Sequence, residues 1–424
     1  MIGKLYRVLE TARSLPPSEL GNDRLIKLTG ISIALGSLLE SEADFWSAYQ
    51  VYAESLDEVL GRSSDEGSTN STIAETFDAA DQGSTRNCSP QERMRAVTLA
   101  QKLGDLASSG LIAARSVRDQ DGNVVPVPMD LDSIAEQHYV WSVEELLRLI
   151  MDDSQRSAAL AADERGEQGG VVLSELGVPA WISEAEVGGS LEALAGFYAS
   201  RGKGELAVPL YLQALAFLMP PDSSAPPSVV GEKGRQPTRR KNPTASERCR
   251  AAILMNNLAQ IIIHSSPSSS SGSSGGVRQG SVTAGLASDQ PGRNKQAIQW
   301  AEQGLGVVYK TQAMVGWPSS CASSAAATSV GGTAREVIET SSDRTRQVEL
   351  ECGAAEVTLL YNLGMMHQLQ AETNGVQLSR SHPNVCNARD YYAKAYRRAE
   401  EIGLRDAKNR TAMALAELER KSTK

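Results

Sequence analysis

Residues 188–215 read GGSLEALAGFYASRGKGELAVPLYLQAL, and their spacing decides the fold. Leu191, Leu194, Ala195 and Tyr198 share one face of a helix. Gly202 and Gly204 interrupt that helix. Ala207, Tyr211 and Ala214 then mark a second helix, which Pro220 and Pro221 close. Twelve residues separate Ala195 from Ala207, enough for one helix to end, turn and return. Small residues then meet across the pair and let the helices approach, while the tyrosines fill the space beside them.

The same step joins Gly36 to Ala48, with Leu35 and Leu39 on the first helix and Tyr52 and Ser55 on the second. Three further pairs appear when chain is inserted at the turn. Leu103, Gly104 and Ala107 precede Ala135, Tyr139 and Ser142; Leu258, Ala259 and Ile262 precede Ala297, Ala301 and Gly304; Leu363, Gly364 and His367 precede Ala388, Tyr392 and Ala395. A repeat tolerates such insertions at small entropic cost. The predicted class is all-α, a solenoid of about five degenerate repeats of the tetratricopeptide (TPR) type, whose unit is about 34 residues. The repeat-packing residues are Gly36, Ala48, Tyr52, Gly104, Ala195, Tyr198, Ala207, Tyr211, Ala214, Ala259, Ala297, Gly364, Ala388, Tyr392 and Ala395.

The chain divides accordingly. Residues 1–24 form a partial repeat and connector, with Gly3 to Leu15 a second-type helix lacking its partner. Repeat 1 is 25–60, followed by a linker at 61–91. Repeat 2 with its insertion is 92–151, then a connector at 152–186. Repeat 3 is 187–221, then a linker at 222–247. Repeat 4 is 248–312, with an insertion expected to be disordered at 265–294, then a linker at 313–347. Repeat 5 is 348–404 with an insertion at 371–386, and 405–424 is a capping helix. The polar run SSPSSSSGSSGG at 265–276 buries too little surface to offset its ordering entropy. Residues 222–246, 265–292 and 318–342 are expected to be dispensable for folding. Val124, Val125 and Val127 are interrupted by prolines, so no strand is predicted there. At the start, Leu5, Val8, Leu9 and Ala12 form an apolar stripe that is either open or folded onto Leu25 and Leu28.

A narrower resemblance rests on the 188–215 block together with LMNNLA (254–259), AIQWAEQGL (297–305), YNLGMMHQLQ (361–370) and ARDYYAKAYRRAEEIGL (388–404). In this order they resemble the fungal mitochondrial TPR adaptor subunits of the inner-membrane i-AAA protease complex. The resemblance implies an adaptor that presents misfolded proteins to an ATP-dependent protease and faces the intermembrane space. Such adaptors carry a targeting sequence and a membrane anchor ahead of the repeats. The alternative is a cytoplasmic TPR scaffold with no protease partner, if the start at Met1 is genuine.

The chemistry-bearing residues point away from catalysis. The formal net charge is −9, which opposes general binding to phosphate backbones, so no nucleic-acid partner is expected. Arg235 to Lys241 is a local basic exception, read as a solvated loop, and Asn70-Ser-Thr72 matches a glycosylation acceptor without a secretory signal. No stretch has the 18 apolar residues or so needed to span a bilayer. The cysteines Cys88, Cys249, Cys321, Cys352 and Cys386 are odd in number and never spaced C-x-x-C. They suggest neither a disulfide framework nor zinc, and Cys249 and Cys352 read as buried thiols. His138, His264, His367 and His382 form no metal-ligand pair, and His367 takes an aromatic packing position. The acid pairs Glu144-Glu145 and Glu400-Glu401 read as solvated surface. With no nucleophile or phosphate-loop motif, no enzyme, cofactor or metal is expected.

The partners are expected to be proteins. In a solenoid of this type the first helices line a groove at positions five and nine of each repeat: Ile33 and Ser37, Gln101 and Asp105, Glu192 and Gly196, Asn256 and Gln260, Tyr361 and Met365. The binding candidates among these are Gln101, Asp105, Glu192, Asn256, Gln260, Tyr361 and Met365. None is a lysine, which argues against clamping a carboxylate tail. Amides can bond any peptide backbone, and methionine adapts to varied partners.

If Ala207 faces the paired helix, Ala207→Leu overpacks that interface and lowers stability by about 1–3 kcal/mol. Thermal denaturation checks this, and an unchanged melting temperature counts against the repeat register.

Overall fold

The computed structural model describes residues 1–61, 88–112, 115–118, 124–127, 130–151, 178–179, 181–219, 242–264, 290–317, 342–373 and 381–422. Asn70, the basic run 235–241, the serine-rich run 265–276 and Cys321 lie outside them, as does most of each expected linker.

The helices are α1 (Ile2–Ser14), α2 (Pro17–Leu20), α3 (Arg24–Ser41), α4 (Phe45–Leu60), α5 (Pro90–Ser108), α6 (Leu131–Ile150), α7 (Glu184–Ser200), α8 (Gly204–Leu218), α9 (Ala245–His264), α10 (Gln290–Val315), α11 (Ser342–Thr373), α12 (Pro383–Glu401) and α13 (Arg405–Ser422). They form consecutive helical pairs, an all-α repeat fold. Helices reach into several segments read as linker or insertion: α10 already contains 290–294, α9 begins at Ala245, α11 takes 342–347 and 371–373, and α12 takes 383–386. Their starts have a local cause. Ser89 with Glu92, Ser183 with Glu186, and Thr244 with Glu247 each exchange side-chain and backbone hydrogen bonds across the first turn of α5, α7 and α9, satisfying helix-end N–H groups.

The structure divides into two compact units, Met1–Phe197 and Tyr198–Lys424. In the first, α1 packs on α3, α3 pairs with α4, α4 meets α5, and α5 pairs with α6. Leu9, Ala12 and Leu28 are buried while Val8 is exposed, so the N-terminal stripe is folded back rather than open. In the second unit α8 meets α9, α9 pairs with α10, and α10 meets α11. Helix α11 pairs with α12, and α9 also touches α11 directly. Helix α13 packs on α12 through Leu418, with Lys421 reaching Glu372 of α11 at 3.0 Å. Met413 is its exposed large apolar side chain.

One close approach recurs. A Cβ placed on Gly36 would lie 2.4 Å from the Tyr52 ring, on Gly104 2.9 Å from Tyr139, and on Gly364 2.7 Å from Tyr392. In these three pairs the second-helix tyrosine ring packs directly against a first-helix glycine. Ala48, Ala135 and Ala388, one turn before each tyrosine, are fully buried. Ala259, Ala297, Ala195, Ala207 and Ala214 are equally sealed, and Tyr198 and Tyr211 are buried.

The tight turns share one geometry. Ala43, Gly202 and Gly403 all adopt positive φ, near 61°, 71° and 78°. The following N–H groups, of Asp44, Lys203 and Leu404, return to the carbonyls of Leu39, Tyr198 and Ala399 at 2.9, 2.9 and 2.8 Å. This is the left-handed closure of a helix end, which favours glycine.

Two sequence expectations are corrected. Val124–Val127 does form a strand, paired antiparallel with Arg115–Arg118, with Pro126 opposite Ser116. A two-stranded ribbon is all edge, so a proline is tolerated. Cys249 and Cys352 are not thiols: they form a disulfide with a Cα–Cα separation of 5.2 Å across 103 residues of sequence. The pair is invisible to local spacing because the bond joins two different repeats. A closed loop of that length restrains the unfolded chain by about 4–5 kcal/mol in the chain-entropy account.

Gly36→Ala is expected to cost about 1–3 kcal/mol by forcing Tyr52 aside. Gly30→Ala, on the same helix with open space beside it, is expected to stabilise by about 0.5–1 kcal/mol. Opposite shifts in chemical denaturation midpoint check both.

Candidate functional site

Each tyrosine that crosses a glycine carries its hydroxyl past it to a polar side chain of the first helix. Tyr52 donates to Glu40 Oε1 at 2.7 Å, with Ser37 Oγ 3.4 Å away. Tyr139 donates to Asp105 Oδ1 at 2.7 Å, with Ser108 Oγ at 3.4 Å. Tyr392 donates to Gln368 Oε1 at 3.3 Å. Glu40 and Gln368 lie four residues after the glycine, one helical turn along, whereas Asp105 directly follows it. Burial, with the neighbouring carboxylate, raises the Tyr52 hydroxyl above its ordinary pKa; burial does the same for Tyr392.

In the first unit the candidates are tied to neighbouring helices. Gln101 is half-buried and its amide donates to Ser190 Oγ of α7. Asp105 is exposed and holds the Tyr139 hydroxyl. Glu192 is half-buried. Lys102 meets Glu40 at 3.0 Å, bridging α5 and α3. Arg95 of α5 also donates to Thr29 Oγ1 and the Ile26 carbonyl of α3.

The second unit gathers the uncharged candidates on α9 and α11. Asn256 is buried, and its Oδ1 accepts from Asn362 Nδ2 at 2.8 Å, a direct link between the two helices. Gln260, one turn on, is half-buried, and its Nε2 is enclosed without a partner among the described residues. Tyr361 is half-buried against the α9–α10–α11 core and meets the Tyr392 ring with centroids 5.7 Å apart. Met365, half-buried, follows it by one turn. This is a face of amides, one aromatic and one thioether. Asn362 escaped the sequence reading because it follows position five by one residue. The Asn pair in LMNNLA and the YN of YNLG were its visible signal.

Other polar residues serve packing. Glu356 is fully buried and accepts from Arg398 Nε at 2.9 Å and Gln312 Nε2 at 2.8 Å. Arg398 also reaches Glu401 at 3.0 Å. Glu145, read as surface, is fully buried, bonded to Arg93 and Arg148. Buried carboxylates with such partners avoid the cost of an unpaired charge. Tyr49 and His138 Nε2 lie 3.1 Å apart, linking α4 to α6. Among the described residues no helix is long and apolar enough to cross a membrane, and no group of three or more side chains is placed to hold a metal.

No known protein family matches the chain, and no curated protein matches it. Among solved structures it is similar to a circular tandem repeat protein with novel repeat topology and enhanced subunit contact surfaces. That match has 12% identity, covers 100% of this chain and 76% of the other, and has a TM-score of 0.23, too low to carry an argument. The class therefore rests on the molecule itself: a helical repeat protein built from consecutive helix pairs.

His367 is buried and stacks on Tyr391, with centroids 5.5 Å apart and planes 10° from parallel. Its Nδ1 has no partner among the described residues, and burial lowers its pKa below the ordinary 6.5. The unfolded chain therefore binds this proton more readily. The stabilisation is complete above pH 6.5 and is lost as pH falls from there through the folded pKa. His367→Phe keeps the stack and is expected to flatten the loss of melting temperature just below pH 6.5.

Proposed function

We propose that this protein is a non-enzymatic, TPR-type adaptor that binds misfolded or unfolded proteins through the α9–α11 face. The observation that carries the reading is the Asn256–Asn362 pair beside Tyr361 and Met365. An extended chain offers backbone N–H and C=O groups whatever its sequence. Side-chain amides can answer both, and a tyrosine and a methionine add apolar contact without demanding one shape. A charged clamp for one terminal group would need cations that these positions lack.

The wider reading is that clients are delivered to an ATP-dependent protease of the mitochondrial inner membrane. It is supported by the sequence resemblance carried by the 188–215 block and the four later segments. The Cys249–Cys352 disulfide favours this over a cytoplasmic scaffold, because such bonds persist where the surroundings oxidise thiols. The protein would then work on the intermembrane-space side, with protease subunits as its partners.

Fluorescence anisotropy with labelled, reduced and carboxymethylated α-lactalbumin, a permanently unfolded chain, tests the binding step. Tyr361→Ala combined with Asn362→Ala is expected to weaken binding about tenfold, equivalent to about 1.4 kcal/mol. Met413→Ser, on the outer face of α13, is expected to change nothing. Equal affinity in all three proteins would sink the assignment of the face. Recovery of AAA protease subunits with the tagged protein from detergent-solubilised mitochondria tests the wider reading.

A further inference from the structure

The disulfide and the amide pair join the same two helices. Cys249 lies in the second turn of α9, and Asn256 follows it by seven residues, two helical turns along the same face. Their partners on α11, Cys352 and Asn362, lie ten residues apart, nearly three turns. One end of the candidate binding face is thus pinned covalently, and the other by a single neutral hydrogen bond. Both cysteines are sealed, at 1% and 0% exposure, so a reductant reaches the bond only after the helices part locally. Around the bond α11 is crowded: a Cβ on Gly353 would meet Ile402 at 3.1 Å, and the Glu356–Arg398 pair lies one turn further on.

The two thiols of the reduced chain are not equivalent. Cys249 stands between Arg248 and Arg250, whereas Cys352 follows Glu351. Neighbouring cations favour a thiolate and neighbouring carboxylates oppose it. Cys249 is therefore the better nucleophile before the pair is buried.

We propose that Cys249 and Cys352 form a redox lock on the α9–α11 face, closed by exchange with a disulfide-bearing thiol oxidoreductase. The Cys249 thiolate attacks one sulfur of the partner disulfide, and the other partner sulfur leaves as a thiolate. Cys352, deprotonated, then attacks the Cys249 sulfur of this mixed disulfide and expels the remaining partner thiolate. Two electrons pass to the partner, which ends as a dithiol after taking up the two protons the cysteines lose. Reduction reverses the sequence and frees the N-terminal turns of α9 from α11. The lock rests on geometry alone; its effect on client binding rests on the adaptor reading above.

The test uses the full chain carrying Cys88→Ser, Cys321→Ser and Cys386→Ser, with oxidised glutathione as the probe disulfide. With Cys352→Ser added, quenching and mass spectrometry during refolding are expected to find a glutathione adduct on Cys249. With Cys249→Ser instead, the adduct on Cys352 is expected to form at least tenfold more slowly. Equal rates, or a faster Cys352, would overturn the order of attack. The lock is read separately by hydrogen exchange of the α9 amides from 249 to 256. Exchange there is expected to quicken at least tenfold when the wild-type protein is reduced, and equally in Cys249→Ser/Cys352→Ser. Unchanged exchange on reduction would overturn the lock, and the reduced wild-type chain answers this even if the double variant does not fold. If oxidised protein binds carboxymethylated α-lactalbumin and reduced protein binds it at least tenfold more weakly, the lock governs the face. Equal binding in both states overturns that coupling. Failure of the oxidised protein to bind at all sinks the adaptor reading and its redox coupling, while the exchange result still decides the lock.

Discussion

The approach of a tyrosine ring to a bare glycine is the constraint on which the helix pairs depend. Where Tyr52, Tyr139 and Tyr392 cross Gly36, Gly104 and Gly364, no side chain fits between ring and backbone. The ring buries against the first helix, and the alanine one turn before it lets the second helix come equally close. Ridge-and-groove packing at this distance leaves little freedom in crossing angle. The fourth pair reaches the same end differently. There the glycine is on the second helix, and a Cβ on Gly304 would meet the Ala252 carbonyl at 3.0 Å.

The same contact bears on the proposed function. A phenol that lies across a glycine places its hydroxyl just beyond it on the first helix, where it needs an acceptor. Glu40, Asp105 and Gln368 supply it. The first-helix surface therefore carries polar groups oriented by the core beneath it, and in the proposed adaptor these side chains would be held before a partner arrives. Such preorganisation lowers the ordering cost of binding. The covalent tie between Cys249 and Cys352 extends this to the spacing of α9 and α11.

Buried charge gives each unit a further tie. Arg93 of α5 with Glu145 of α6 in the first unit, and Gln312 of α10, Glu356 of α11 and Arg398 of α12 in the second, join neighbouring helices whose apolar faces would tolerate sliding. An apolar contact is nearly indifferent to a shift of one turn, whereas a buried carboxylate is not. The groups look like surface charge in sequence, because Glu145 adjoins Glu144 and Arg398 sits in a run of charges. Local composition cannot tell which member of such a run turns inward.

What the sequence by itself determined is the set of small and aromatic residues at fixed offsets, and with it the helix pairs. Those offsets act within one hairpin, where the chain's own geometry limits the partners. The S/T-x-x-E boxes at Ser89, Thr244 and Ser183 are local signals as well, but the repeat bounds at 92, 248 and 187 did not use them, and the helices start earlier, at Pro90, Ala245 and Glu184. Tyr361 and Met365, which the proposed face includes, stand at positions marked by the same periodicity. The tertiary structure alone decided the Cys249–Cys352 bond, the Asn256–Asn362 bridge and the inward turn of Glu145 and Glu356. Each of the two links crosses about 100 residues of chain, and each buried carboxylate finds its cation on another helix. Sequence spacing carries no information about which turns of two separate repeats come to lie side by side; the stacking of one helix pair on the next supplies it.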